Sequence, residues 1–399
     1  MIDVEQMSLI DMEDSVYQLR SGAKNYKENC LERKEREHIT ENIERFMQMQ
    51  KMPYEAKISH ARQMARDFYN NVTSPVGEYR ANCHVSVGGL DSITLLIFLR
   101  EMCGIDVPAV SVSSIEDKSI QRIHKQLGVI RLETSKDKDG KPITKHRIIQ
   151  EYGFPVISKE KAAKIEHLQH PTENNATIRH AIITGETGAY GGFQKNSRMK
   201  LPQKWLMLFG GYENETENVN YMKPDFLVSS QCCYYLKEKP CDDWAKEHNS
   251  YPYLGLMASE GGRREKALKM HGCNYYGKGT IRSAPFAIFD RQDLLQLAVD
   301  LNVPVPEIYG EIKCLPDGTL CTTKAQRTGC DICGFGIHCE SRPHRFDRLR
   351  ERNPKAWEYW MYNVCTDASG KKYGWGRVLD YIGVEWEDIP ESYEQLELL

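Results

Sequence analysis

Cys83-His-Val-Ser-Val-Gly-Gly-Leu-Asp-Ser-Ile-Thr-Leu-Leu-Ile-Phe-Leu99 is the stretch on which the fold turns. Cys83, Val85 and Val87 alternate with polar neighbours, the pattern of a short strand. Gly88-Gly89 follows, and Ile93 to Leu99 reads as an apolar helix. Paired glycines at a strand-to-helix handover let the backbone approach an anion with no Cβ in the way. The free N–H groups and the dipole of the helix's first turn then hold that anion. Ser86, Val87, Gly88, Gly89, Asp91 and Ser92 are therefore candidate phosphate-binding positions. Ser92 adds a hydroxyl, and Asp91 either caps the helix or helps to place a magnesium ion. The same string also fits a tight turn with an Asp/Ser cap.

Outward from this segment, strand and helix candidates alternate. Val107 to Ser113 reads as a strand, Lys118 to Leu127 as a helix, and Val129 to Glu133 as a strand. Such spacing predicts an α/β fold, a parallel twisted sheet flanked by helices. Asp225 to Ser229 and Tyr253 to Ala258 are further strand candidates, and a helix is expected from Arg291 to Leu301, ended by Pro304 and Pro306. Residues 1 to 75 read as a charged helical extension, with Ile58, Ala61, Ala65 and Phe68 at helical spacing. Glycines and lysines from Gly185 to Lys204 suggest an exposed basic loop. The division expected is 1–75, 76–310 and 311–399, the last a cysteine-rich segment followed by helices.

The chain has 399 residues, 40% of them hydrophobic and 27% charged, enough apolar mass for a sizeable core. A net charge of −3 differs from that of a generally basic nucleic-acid binder. The first residues lack a basic n-region, and no run reaches the length of a membrane span, so a cytoplasmic location and no membrane partner are expected.

Thirteen cysteines, an odd number, fit metal ligation better than a disulfide framework. Cys30, Cys83, Cys103 and Cys365 are expected to be packing residues. Cys330-Asp-Ile-Cys333 lies between Cys321 and Cys339 in a C-x8-C-x2-C-x5-C run, and Cys232-Cys233 is an adjacent pair far upstream. A CxxC serves zinc, an iron–sulfur cluster or a redox dithiol. Vicinal cysteines beside a CxxC supply the four thiolates of a [4Fe–4S] cluster. Packing for the pair and zinc for the CxxC is the competing explanation.

The 86–92 string resembles the SGGxDS pyrophosphate loop of the PP-loop ATP pyrophosphatase and PAPS-reductase-like superfamily, with Val87 for its first serine and Leu90 for a frequent lysine. Ser230-Gln-Cys232-Cys233 with Lys237, Lys239 and Pro240 resembles the Cys-Cys segment of iron–sulfur adenylyl-sulfate reductases. The 321–339 spacing resembles that of DNA-phosphorothioation ATP pyrophosphatases. Gly255 to Arg264, Ser283-Ala-Pro285 with Arg291-Gln-Asp293, Ile308-Tyr309-Gly310, the stretch from Arg327 to Phe346 and Gly376 to Gly383 are similar to further family passages, in order over residues 55 to 385.

The resemblance implies an adenine-nucleotide alpha-hydrolase-like fold that binds ATP and Mg2+, with a [4Fe–4S] cluster. Cys232, Cys233, Cys330 and Cys333 are its implied ligands, with Cys339 and then Cys321 as substitutes. Asp91, Ser92 and Arg327 are expected to act in catalysis. Glu260, Arg263 and Arg264 are expected at the nucleotide, arginine suiting phosphate by its forked geometry. His338 is expected to hydrogen-bond beside the cluster. The implied activity is a sulfurtransferase that adenylates its substrate and releases pyrophosphate, with a cysteine desulfurase as sulfur donor. The acceptor stays open among tRNA, DNA and a small molecule, and the oligomeric state stays open, a homodimer included. Two alternatives remain: an adenylyl-sulfate or PAPS reductase, disfavoured because the end PESYEQLELL lacks a Cys-Gly nucleophile, and a non-catalytic, zinc-stabilised nucleotide-binding module. The basic, aromatic stretch from Arg342 to Trp360 reads as a salt-bridged helix pair more readily than as a nucleic-acid surface.

Overall fold

The computed structural model describes residues 33–213, 220–277, 279–330 and 332–387; the expected helical segment before residue 33 lies outside them. Helices α1 (Arg33–Gln50) and α2 (Tyr54–Thr73) lead in. α2 buries Ile58, Ala61, Ala65, Phe68 and Val72, one stripe at helical spacing. Then come β1 (Asn82–Ser86), α3 (Leu90–Phe98), which runs on into a π turn, β2 (Ala109–Ser111), α4 (Lys118–Gln126) and β3 (Ile130–Arg131). An excursion follows through α5 (Lys145–Glu151), β4 (Val156–Ile157), α6 (Lys159–Gln169), α7 (Ala176–Thr184) and α8 (Gln203–Phe209). A helical run from Gln231 passes through a π turn, Tyr234–Glu238, into α9 (Lys239–Glu247) and returns the chain to β5 (Ser250–Tyr253). α10 (Gly262–His271), β6 (Asn274–Tyr276), β7 (Ile281–Ser283) and α11 (Arg291–Asp300) complete this half.

The central sheet has the order β3-β2-β1-β5-β7-β6. Every pairing is parallel except that of β6 with β7. The protein is thus α/β, with a mostly parallel sheet flanked by helices. From β1 the chain steps outward to β2 and β3, then crosses to the opposite side of β1 at β5. Connections that diverge on either side of one strand leave a crevice at its carboxyl end. In this sheet that end is Ser86, where the glycine loop begins.

Two expected strands fall elsewhere. β5 covers Ser250–Tyr253, upstream of the expected 253–258, because residues from Leu254 onward cross the first turn of α3. Asp225 to Ser229 forms no ladder; Val228 makes one isolated bridge to Phe154. Gln169 explains this: its side chain accepts from the Val228 N–H and donates to the Phe226 carbonyl, taking groups a neighbouring strand would have paired.

The remaining elements are the hairpin β8 (Ile312–Cys314) and β9 (Leu320–Thr322), then β10 (Gly334–Phe335), α12 (Arg345–Arg352), α13 (Pro354–Tyr362), β11 (Cys365–Thr366), β12 (Lys372–Tyr373) and α14 (Trp375–Ile382). One apolar core lies around the central sheet. A second joins residues between Ile149 and Val228 to residues between Ile332 and Trp386, with Phe154, Phe346 and Trp375 at its centre. β10 pairs with β4 across that gap in sequence. Among the described residues no helix is long and apolar enough to cross a membrane.

Candidate functional site

At the carboxyl end of β1 the loop is held from several sides. The Gly88 N–H donates to Ser92 Oγ at 2.7 Å, and that hydroxyl donates to the Gly89 carbonyl at 3.0 Å. His124, from α4, lies 2.8 Å by Nε2 from the Gly88 carbonyl and 2.9 Å by Nδ1 from Ser113 Oγ. With Nε2–H donating to the carbonyl, Nδ1 accepts from the serine. Burial keeps the His124 pKa below the usual histidine value. The Leu90 N–H donates to the Tyr309 hydroxyl at 3.1 Å. Gly255 packs so closely on the Asp91–Ser92 backbone that a Cβ would stand 3.0 Å from Ser92 Cα and N.

Val87, buried where it lines the cavity, and Leu90, buried in the main core, bring no charge to the loop. Positive charge comes from elsewhere. Arg291, the first residue of α11, donates by Nη1 to Asp91 Oδ1 at 2.7 Å and by Nη2 to the Gln326 carbonyl at 3.0 Å. Asp91 does not cap α3, whose capping position is Gly89. Burial raises the Asp91 pKa; Arg291 and Arg327 pull it down, while Glu260 adds to the rise. Glu260 accepts from Arg264 Nη1 at 2.9 Å and lies 3.9 Å from Arg327 Nη1, itself exposed. Asp91, Glu260, Arg264, Arg291 and Arg327 thus form one charged group at the loop. The Arg263 side chain lies outside the described residues.

The loop opens into a cavity of about 720 Å³, within the range of small-molecule sites, about 300–1,000 Å³. Ser86, Val87, Gly88 and Glu116 line one part, and the remainder runs between the β1–β5 face and α9, with Arg264 at its edge. Glu116, buried, accepts from Lys237 Nζ at 2.6 Å. Burial opposes the Glu116 charge, but Lys237, then Lys145 and His124, hold its pKa below the ordinary value.

Cys330 and Cys233 lie within electrostatic reach of Lys237. Cys232 and Cys233 act electrostatically on Cys330 and Cys333, so the vicinal pair and the CxxC share one neighbourhood. Cys232 and Cys330 pack on the same apolar cluster, around Ile115, Ile148 and Leu236. Burial pushes the thiols of Cys232, Cys233 and Cys330 up. Glu166 anchors the pair's segment, accepting from the Ser230 N–H and from Gln231 Nε2.

Cys339 ends a 3-10 turn and is exposed, and Cys321 lies on β9, tied to α11 by Gln292. His338 meets the Trp205 ring edge-on at 5.2 Å. Cys83, Cys103 and Cys365 are buried packing residues, while Cys30 lies outside the described residues. In the C-terminal pair, Trp357 is buried against Tyr362 and Trp386, and Arg342, Arg345 and Arg352 pair with Asp347, Glu340 and Asp117. That is a salt-bridged structural face.

Among the described residues no group of three or more His, Cys, Asp or Glu side chains stands in an arrangement that could hold a metal ion. The donor set nonetheless fits a four-iron cluster in chemistry. Four half-buried thiols from two segments lie within electrostatic reach of one another, as do Lys145, Lys159 and Lys237.

No family model, no curated protein and no solved structure matches the chain.

Sequence reasoning missed Glu116, His124 and Thr328 as members of the site, and named Lys237, Arg291 and Tyr309 only as parts of a pattern. A lone buried Glu or His carries no periodic or spacing signal. Arg291 and Tyr309 lie about two hundred residues from the groups they touch.

Proposed function

We propose that this chain is a PP-loop ATP pyrophosphatase that adenylates its substrate and transfers sulfur, with a [4Fe–4S] cluster on Cys232, Cys233, Cys330 and Cys333. The observation that carries this reading is that one ion pair, Glu116–Lys237, lines the loop's cavity and lies within electrostatic reach of Cys233 and Cys330.

The β- and γ-phosphates of ATP take the first-turn N–H groups of α3 and the Ser92 hydroxyl, as anions do at helix N-termini. Arg291 and Arg327 replace the charge lost at Leu90, and Lys237 serves the Gly88 side. Asp91, with one oxygen on Arg291, would hold Mg2+ through the other, and the ion would neutralise phosphate charge. A substrate oxygen attacks the α-phosphorus, and pyrophosphate leaves with the bonding electron pair. The loop and its arginines stabilise the charge that builds on that leaving group. A cluster on the four cysteines would supply sulfur chemistry within reach of the activated substrate. A hydrosulfide, released from a donor persulfide by two electrons from a second thiol that forms a disulfide, then attacks the activated carbon or phosphorus, and AMP departs with the electron pair of the broken bond to oxygen. A cysteine desulfurase is the class of enzyme that supplies such sulfur.

Calorimetric titration with MgATP and with pyrophosphate tests the loop. The wild-type chain should bind both, and Arg291→Ala should weaken pyrophosphate about tenfold or more, the scale of one charge-assisted bond. Binding of neither ligand would remove the nucleotide reading.

A further inference from the structure

The Leu90 N–H is one of the donors that a phosphate would use, yet it is taken. Its acceptor is the Tyr309 hydroxyl, 3.1 Å away. That oxygen lies so close to the loop that a Cβ on Gly89 would stand 2.3 Å from it. One N–H serves one strong acceptor, and no room for a phosphate oxygen remains between the loop and the tyrosine. A phosphate at this donor and the Tyr309 hydroxyl exclude one another.

Tyr309 is also tied to the segment that leads into the CxxC. Its hydroxyl shares a 2.6 Å hydrogen bond with Thr328 Oγ1, two residues before Cys330. The Tyr309 carbonyl accepts from the Lys324 N–H at 3.0 Å, and the Ile308 carbonyl accepts from the Ala325 N–H at 3.2 Å. The ring itself is buried in the main core. Its hydroxyl therefore leaves Leu90 only if the Glu307–Tyr309 turn shifts, and residues 324–328 are bonded to that turn at three points.

We propose that Tyr309 is a positioning residue that holds the phosphate seat at Leu90 in the free protein, and that nucleotide binding displaces it and moves residues 324–330. Occupancy of the loop is thereby reported to the cysteine segment through hydrogen bonds. The inference rests on the phosphate reading of residues 86–92 and adds a coupling to it.

The test uses the full chain as purified, in wild-type, Tyr309→Phe and Thr328→Val forms. It combines MgATP titration with hydrogen exchange of the peptide spanning 323–330, and thermal melts confirm that each variant is folded. Without a competing hydroxyl, Tyr309→Phe should bind MgATP about threefold to tenfold tighter, the worth of one neutral hydrogen bond. MgATP should change exchange in 323–330 in the wild type. In Tyr309→Phe that peptide should already exchange at the liganded rate. Thr328→Val should keep Tyr309 at Leu90 and, with the backbone bonds from Lys324 and Ala325 intact, lose part of the nucleotide-induced change, that nearest Cys330. Equal or weaker binding by Tyr309→Phe, or a wild-type peptide indifferent to bound MgATP, overturns the coupling and leaves the phosphate site standing. A wild type that binds neither MgATP nor pyrophosphate removes both.

Discussion

Gly88 and Gly89 are neighbours, yet different constraints act on them. A Cβ on Gly88 would have ordinary room, 3.8 Å from Glu116 Oε1, whereas one on Gly89 would strike Tyr309. The Gly89 backbone, at φ −81° and ψ −163°, is one that alanine adopts freely. Gly89→Ala should therefore lower stability by about 1–3 kcal/mol through overpacking. Adding Tyr309→Phe should restore part of it, since the ring carbon would be 3.6 Å from the new Cβ. Thermal melts of the two single variants and the double variant check this; a purely additive double variant would place the constraint elsewhere. Lys237 gives a second case. Lys237→Met leaves Glu116 buried and ionised without its partner, which should cost roughly 1–3 kcal/mol, the lysine being partly open to the cavity. Lys237→Met/Glu116→Gln should be more stable than Lys237→Met alone, as denaturant titration would show.

Among the elements, the handover from β1 to α3 was legible because its signals are local: alternation, paired glycines, an apolar run. The observed bounds, Asn82–Ser86 and Leu90–Phe98, differ from the expected ones by a few residues. β5 was misplaced because the apolar run continues past Tyr253 to Ala258, whereas the ladder has ended by Gly255, which packs on the Asp91–Ser92 backbone. The run from Gln231 to Glu247 carried a readable signal only in its cysteines, yet it forms a wall of the cavity. Asp242, on α9, has its pKa pushed up to about 6 by burial and then by Glu238. From about pH 4, the ordinary aspartate range, to pH 6, the unfolded chain releases this proton while the folded chain keeps it. Stability therefore falls as pH rises through that window and loses nothing further from this group above it. Asp242→Asn should flatten that slope and gain roughly 1–2 kcal/mol at pH 7. Melting temperatures at pH 4, 5, 6 and 7 measure it, and an unchanged slope would count against the burial of this carboxyl.

For the whole molecule, the α/β class was readable because βαβ spacing is a sequence-local property. The second core was not, because Phe154 meets Phe346-contacting Trp375 across more than two hundred residues and no periodicity announces such a meeting. The four cysteines show both limits. The two short motifs that hold them are visible in the sequence, but their proximity depends on the return of the chain from the second core to β5. The same route brings Lys237 to Glu116, at the edge of the Gly88–Gly89 loop, with Cys233 and Cys330 in electrostatic reach. We propose that this neighbourhood is an iron–sulfur site serving a nucleotide. Iron and acid-labile sulfide per chain, measured after anaerobic purification, test it most directly. About four of each are predicted for a [4Fe–4S] site, lost in Cys232→Ser/Cys330→Ser and kept in Cys339→Ser. Stoichiometric zinc without sulfide, unchanged after an attempted cluster reconstitution, would contradict it.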